Sequence, residues 1–131
     1  MTKTSLMKLE AAHHKWQRRI LGDTWRDKIK NEDIRKRTSM EKMEDMLKRS
    51  RLRWLGHIHR SDNERFSKQA LDWTPTGWRR KRGRPRKTWR NTVVQDLDDG
   101  GMTWEEAEES AEDRVGWRNC VARCAASAWN D

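Results

Sequence analysis

Near the start of the chain, apolar or half-apolar residues fall at Leu6, Leu9, His13, Trp16 and Ile20, a spacing of three and four that traces one face of a helix. Gly22 is a natural stop. Trp25 and Ile29 follow, and Asn31 stands where the N-cap of a short helix carrying Ile34 would be. Ser39 is read as the cap of a third helix, with a stripe of Met40, Met43, Leu47, Trp54 and Ile58 and with Leu55 alongside. From Ser61 to Gly77 the periodicity fades, and Asn63, Pro75 and Gly77 mark turns around a short segment holding Ala70, Leu71 and Trp73. It returns at Trp89, Val93 and Leu97, and Gly100-Gly101 closes that helix. Thr103 and Glu106 then have the spacing of a capping box, opening a long helix predicted to run through Ala107, Ala111, Val115, Cys120, Val121 and Cys124. No stretch alternates as a strand does. The pattern predicts an all-α fold: a small, loosely packed helical domain with N-terminal helices over 1–60, a connection over 61–78, an arm over 79–90 and a C-terminal helical hairpin over 91–131.

The arm changes the picture because it is both cationic and unable to be helical. It reads Arg79-Arg80-Lys81-Arg82-Gly83-Arg84-Pro85-Arg86-Lys87 and continues to Trp89 and Arg90. Gly83 has no Cβ, while Pro85 lacks an N–H and pushes Arg84 out of the α region, so Arg82 to Pro85 should be extended and slim. A peptide of that kind suits a narrow minor groove, which attracts inserted arginines, and the run resembles an AT-hook with basic flanks on both sides. Such a run also reads as a solvated basic loop or as a nuclear import signal.

Charge is segregated along the chain. Residues 79–90 hold eight basic groups and no acidic one, residues 91–113 hold nine acidic groups and no basic one, and the whole chain carries +9. That balance favours polyanionic partners, and it raises a second possibility, that the acidic segment docks the basic arm. Lys48 to Arg53 add a further basic run, and Arg49, Arg51 and Arg53 are expected to form a second phosphate-binding patch.

Leu, Ile, Val and Phe together number 17, a low supply for a core of 131 residues, whereas Trp numbers nine. The expectation is therefore a core built largely on indoles, with Trp78 and Trp89, beside the arm, also placed to stack on bases. Such a chain would depend on nucleic acid, or on the rest of a larger polyprotein, to become fully ordered. No apolar stretch approaches the ~20 residues that span a bilayer, and the N-terminus lacks a signal-peptide apolar region, so a soluble intracellular protein is expected.

Four strings occur in order: Arg51-Leu52-Arg53-Trp54-Leu55-Gly56-His57-Ile58, Gly83-Arg84-Pro85-Arg86-Lys87-Thr88-Trp89, Met102-Thr103-Trp104-Glu105-Glu106-Ala107, and Asp113-Arg114-Val115-Gly116-Trp117-Arg118. With them the chain resembles the C-terminal region of reverse transcriptases of non-long-terminal-repeat retrotransposons, from about Trp16 to Arg118. The resemblance implies a region downstream of the polymerase core that helps to hold template RNA or target DNA, in the nucleus. Neither the metal-binding aspartates of a polymerase nor an endonuclease module is found here, so no catalytic site, cofactor or small-molecule substrate is expected.

Other constellations compete with that reading. Cys120 and Cys124, on adjacent turns of one helix, could join His57 and His59 around a zinc ion, although two small apolar residues on a core face are the plainer reading. His57 could instead contact a phosphate or settle inside the packing. Asp96, Asp98 and Asp99 imitate a metal-nuclease cluster but lie at the end of a predicted helix, where solvated acids or a dock for the arm are expected. His13-His14 has no catalytic partner by spacing.

Overall fold

The computed structural model describes residues 3–77, 79, 82–83 and 87–126, and every regular element among them is helical. In chain order these are α1 (Lys3–Leu21), a single 3-10 turn (Trp25–Asp27), α2 (Asn31–Thr38), α3 (Met43–His59), α4 (Phe66–Asp72), α5 (Trp89–Asp99), α6 (Trp104–Glu112) and α7 (Arg114–Ala126). The chain divides into two compact units, 1–47 and 48–131, and the division falls inside α3.

In the first unit α1 packs on α2, and Ile34 is completely buried. The face that α1 buries is rotated from the expected one. His13, His14 and Gln17 are buried, whereas Leu9, Trp16 and Ile20 are exposed. Hydrogen bonds tie this side of α1 to α2 and the residues before it: Arg35 donates to His14 Nε2 at 3.1 Å, and Arg18 Nη2 donates to the Ile29 carbonyl at 2.8 Å and to Asn31 Oδ1 at 2.7 Å. Asn31 thus receives Arg18 rather than capping α2, whose N-cap is Lys30. Ser39 also departs from expectation. With φ at 52° it ends α2, donating its amide to the Arg35 and Lys36 carbonyls, and α3 begins at Met43.

The second unit gathers Leu52 and Leu55 of α3, Val93 and Leu97 of α5, Ala107 and Ala111 of α6, and Trp117, Val121 and Cys124 of α7 into one core. Small and aliphatic side chains fill it, with Trp117 as the single fully enclosed indole among the described residues. The expected indole core is therefore replaced by an aliphatic one. Trp16, Trp25, Trp54, Trp73 and Trp89 are exposed, and Trp104 sits at the margin.

The Thr103–Glu106 capping box forms as read: the Glu106 amide donates to Thr103 Oγ1 at 3.2 Å and the Thr103 amide to Glu106 Oε2 at 2.8 Å. The long helix it opens is nevertheless broken. Asp113 leaves helical geometry (φ −81°, ψ 105°), and its carboxylate accepts the amides of Val115 and Gly116, both at 2.9 Å. A short acidic side chain can offer the backbone this alternative to the helix ladder, and here it starts a new helix. Val115, expected in the buried stripe, is consequently exposed.

The acidic end of α5 has its own use. Arg51 grips Asp96 with two parallel hydrogen bonds, Nε to Oδ2 at 2.5 Å and Nη2 to Oδ1 at 2.9 Å, and Lys48 lies 3.5 Å from Asp99. Each helix contributes its pair at a spacing of three, so both pairs lie on facing surfaces of α3 and α5. Asp96 is thus held by Arg51 and nearly buried, whereas Asp98 and Asp99 are exposed, as solvated acids would be, Asp99 with Lys48 beside it. Arg51, expected to contact phosphate, is committed inside the unit.

Candidate nucleic-acid interface

Gly56 lies where α3 meets α7. A Cβ built at Gly56 would run into the indole of Trp117, so the missing side chain is what lets that ring lie against the α3 backbone. There the indole Nε1–H donates to the Leu52 carbonyl at 3.0 Å, wholly buried, which fixes the position of the ring. This seat brings two basic helix faces together. Arg53 and His57 stand four apart along α3, with Arg60 just past its end, and Arg114 and Arg118 stand four apart along α7, on either side of Trp117.

Together these residues line a cleft of about 540 Å³. No carboxylate is among the described residues that line it. Arg60 is anchored, donating Nη1 to the Ala111 carbonyl at 2.8 Å. The side chains of Arg53, Arg114 and Arg118 form no hydrogen bond or ion pair with any described residue. Cations gathered around one hollow create a local positive potential that a polyanion would relieve. Bidentate guanidinium groups also match the geometry of phosphate.

Two histidines of the last turn of α3 point to opposite sides of the helix. His57 lines the cleft, and its ring packs on Trp54 with centroids 5.1 Å apart. His59 turns inward and meets Trp104 edge-on at 5.3 Å. Burial pushes the His59 pKa below its ordinary value, while Glu108, whose Oε1 is 3.7 Å from Nδ1, pulls weakly the other way. On α7, a hydrogen bond with Ser110 at 3.5 Å, helped by Arg123, lowers the Cys120 thiol, whereas burial raises that of Cys124. The four candidate zinc ligands are therefore dispersed over cleft, core and packing surfaces. Among the described residues no three His, Cys, Asp or Glu side chains gather as a metal-binding group.

Of the residues singled out in the sequence, Arg53 and His57 lie in the cleft. Arg49 is half-buried. Arg79, Arg82, Gly83 and Lys87 are exposed, Gly83 with φ at 120°, while Trp78, Arg80, Lys81, Arg84, Pro85 and Arg86 lie outside the described residues. Trp89 opens α5, which Thr88 caps by accepting the Asn91 amide at 3.2 Å. Arg90 places its guanidinium 4.5 Å from the ring centre of Trp104, a cation–π contact. Arg60, Arg114 and Arg118 escaped notice as site residues. Their signal was the helical spacing of Arg114 and Arg118 about a tryptophan, within a string that drew attention only as a family likeness.

The chain is similar to a transposon-derived protein. That relative, a putative uncharacterized transposon-derived protein of Caenorhabditis elegans, is 24% identical over 123 residues, covering 88% of this chain and 44% of its own length. The chain thus spans less than half of the curated relative it matches. No family model and no solved structure matches it.

Proposed function

We propose that this chain binds nucleic acid in the cleft between α3 and α7, as the C-terminal region of a non-long-terminal-repeat retrotransposon reverse transcriptase. It would hold template RNA or target DNA in the nucleus and contribute no catalytic group of its own. One observation carries the reading: two of the strings that give the family likeness dock on each other through Gly56 and Trp117, and their arginines meet around one cleft with no carboxylate among the described residues that line it. The basic run over 79–90 would extend the same contact along the polyanion backbone. The transposon-derived relative supports the origin of the chain. A scaffold in which the acidic segment occupies the arm is less well supported, since Asp96 and Asp99 face Arg51 and Lys48.

Affinity for labelled duplex DNA and structured RNA, measured by fluorescence anisotropy at low and moderate salt, tests this. Log K should fall by roughly 0.7 to 0.9 per neutralised phosphate for each decade of salt. The paired change Arg53→Ala and Arg118→Ala should weaken binding about tenfold or more and flatten the salt slope by roughly 1.5, with helicity retained. Affinity that ignores both salt and the substitutions would remove the cleft from consideration.

A further inference from the structure

The second unit also carries a groove of about 570 Å³ whose lining includes Trp54, Ile58, Leu71, Trp73, Trp89 and Arg90. Three of its indoles face solvent, with Trp54 at 49%, Trp73 at 69% and Trp89 at 37% exposure. Exposed apolar surface gathered in one hollow marks an interaction site, and tryptophan left in water is a poor use of the largest apolar side chain in a chain short of them.

We infer that this groove stacks the unpaired bases of single-stranded nucleic acid whose phosphates lie against the neighbouring cationic surface. The inference rests on the nucleic-acid reading of the cleft and deepens it. Charge selects the occupant: no acidic residue is among the described residues lining the groove, Arg90 stands at its edge, and the run with eight basic groups in residues 79–90 leads directly into Trp89. Indoles flanked by arginines are how proteins hold single strands, because every base presents a π face while the backbone needs only cations. The rings of Trp54 and His57 touch, so groove and cleft share a wall on α3. A duplex could use the cleft but would keep its bases stacked inside and away from the groove. A strand end, a gap or an RNA loop could use both.

The test compares oligothymidylate, an abasic oligonucleotide of equal length and a duplex, each titrated with the full chain at low salt. Oligothymidylate should bind more tightly than the abasic strand. Trp54→Leu should remove from about fivefold to about a hundredfold of that affinity while leaving the abasic strand unaffected, and Trp54→Phe should restore most of it. Trp73→Ala, at the most exposed of the three indoles, provides the same comparison with little risk to folding, which thermal melts would verify. Equal affinity of the wild-type chain for thymidylate and abasic strands would overturn the groove while leaving the phosphate reading intact. So would a tryptophan substitution that weakens duplex as much as single strand. Absence of binding to all three would overturn both.

Discussion

Gly56 shows how much a single missing carbon can decide. Because α3 has no side chain there, the Trp117 indole seats against the helix and hydrogen-bonds to Leu52, and the cationic cleft is built around that seat. Gly56→Ala, which would favour the helix by propensity alone, should instead destabilise the unit by about 1–3 kcal/mol through overpacking, read as a lower urea midpoint. This coupling was not legible beforehand. Gly56 and Trp117 belong to strings far apart in the chain, and a tryptophan's identity does not tell whether its ring is buried or displayed. His59 supplies a pH dependence. Burial holds its folded pKa below the ordinary value of 6.5, so the unfolded chain takes up this proton first as pH falls. Stability should therefore be complete above about pH 6.5 and decline below it, levelling off only once the folded form is protonated as well. His14, lowered by burial and by Arg35, acts with the same sign. Melting temperatures recorded through this range should fall on acidification, and His59→Leu should lessen the fall. A melting temperature that rises on acidification would refute the assignment.

Among the elements, those that announce themselves locally were legible. The α5 and α6 periodicity, the Gly100-Gly101 stop and the Thr103–Glu106 box all appear where the sequence placed them, because a cap and a helical stripe are set by residues within a turn or two of each other. The break at Asp113 was hidden by the same locality: Ala107, Ala111 and Val121 keep a plausible helical stripe through it, and only the carboxylate's bonds to Val115 and Gly116 reveal a new start. The contact of α3 with α5 was equally hidden, since Arg51 and Asp96 are 45 positions apart. Asp96→Asn keeps the size of that side chain but removes its charge from a nearly buried pair. It should cost about 2–3 kcal/mol, less than the full loss of a buried ion pair because Arg51 is partly exposed. A cycle combining it with Arg51→Met should show a coupling energy; simple additivity would mean that the pair is incidental.

For the molecule as a whole, the contrast between the units sets the order of their stability. Residues 1–47 bury Ile34 beside polar His13, His14 and Gln17, and both amide atoms of Gln17 lack a hydrogen-bond partner among the described residues, an arrangement that costs free energy. Residues 48–131 close a continuous aliphatic core. Backbone amides of α1 and α2 should therefore exchange with solvent faster than those of α5 and α7, and equal protection throughout would contradict this. The amino-acid sequence by itself determined that the chain is helical, that a basic stretch over 79–90 is followed by an acidic one over 91–113, and where α5 and α6 begin, because helix periodicity, capping and charge runs are properties of neighbours along the chain. Tertiary structure alone decided that Trp117 is interior while Trp54, Trp73 and Trp89 are exposed, and where Arg53, Arg60, Arg114 and Arg118 converge. Those outcomes depend on which helix faces meet, and a face becomes buried or free only through residues brought to it from elsewhere in the sequence.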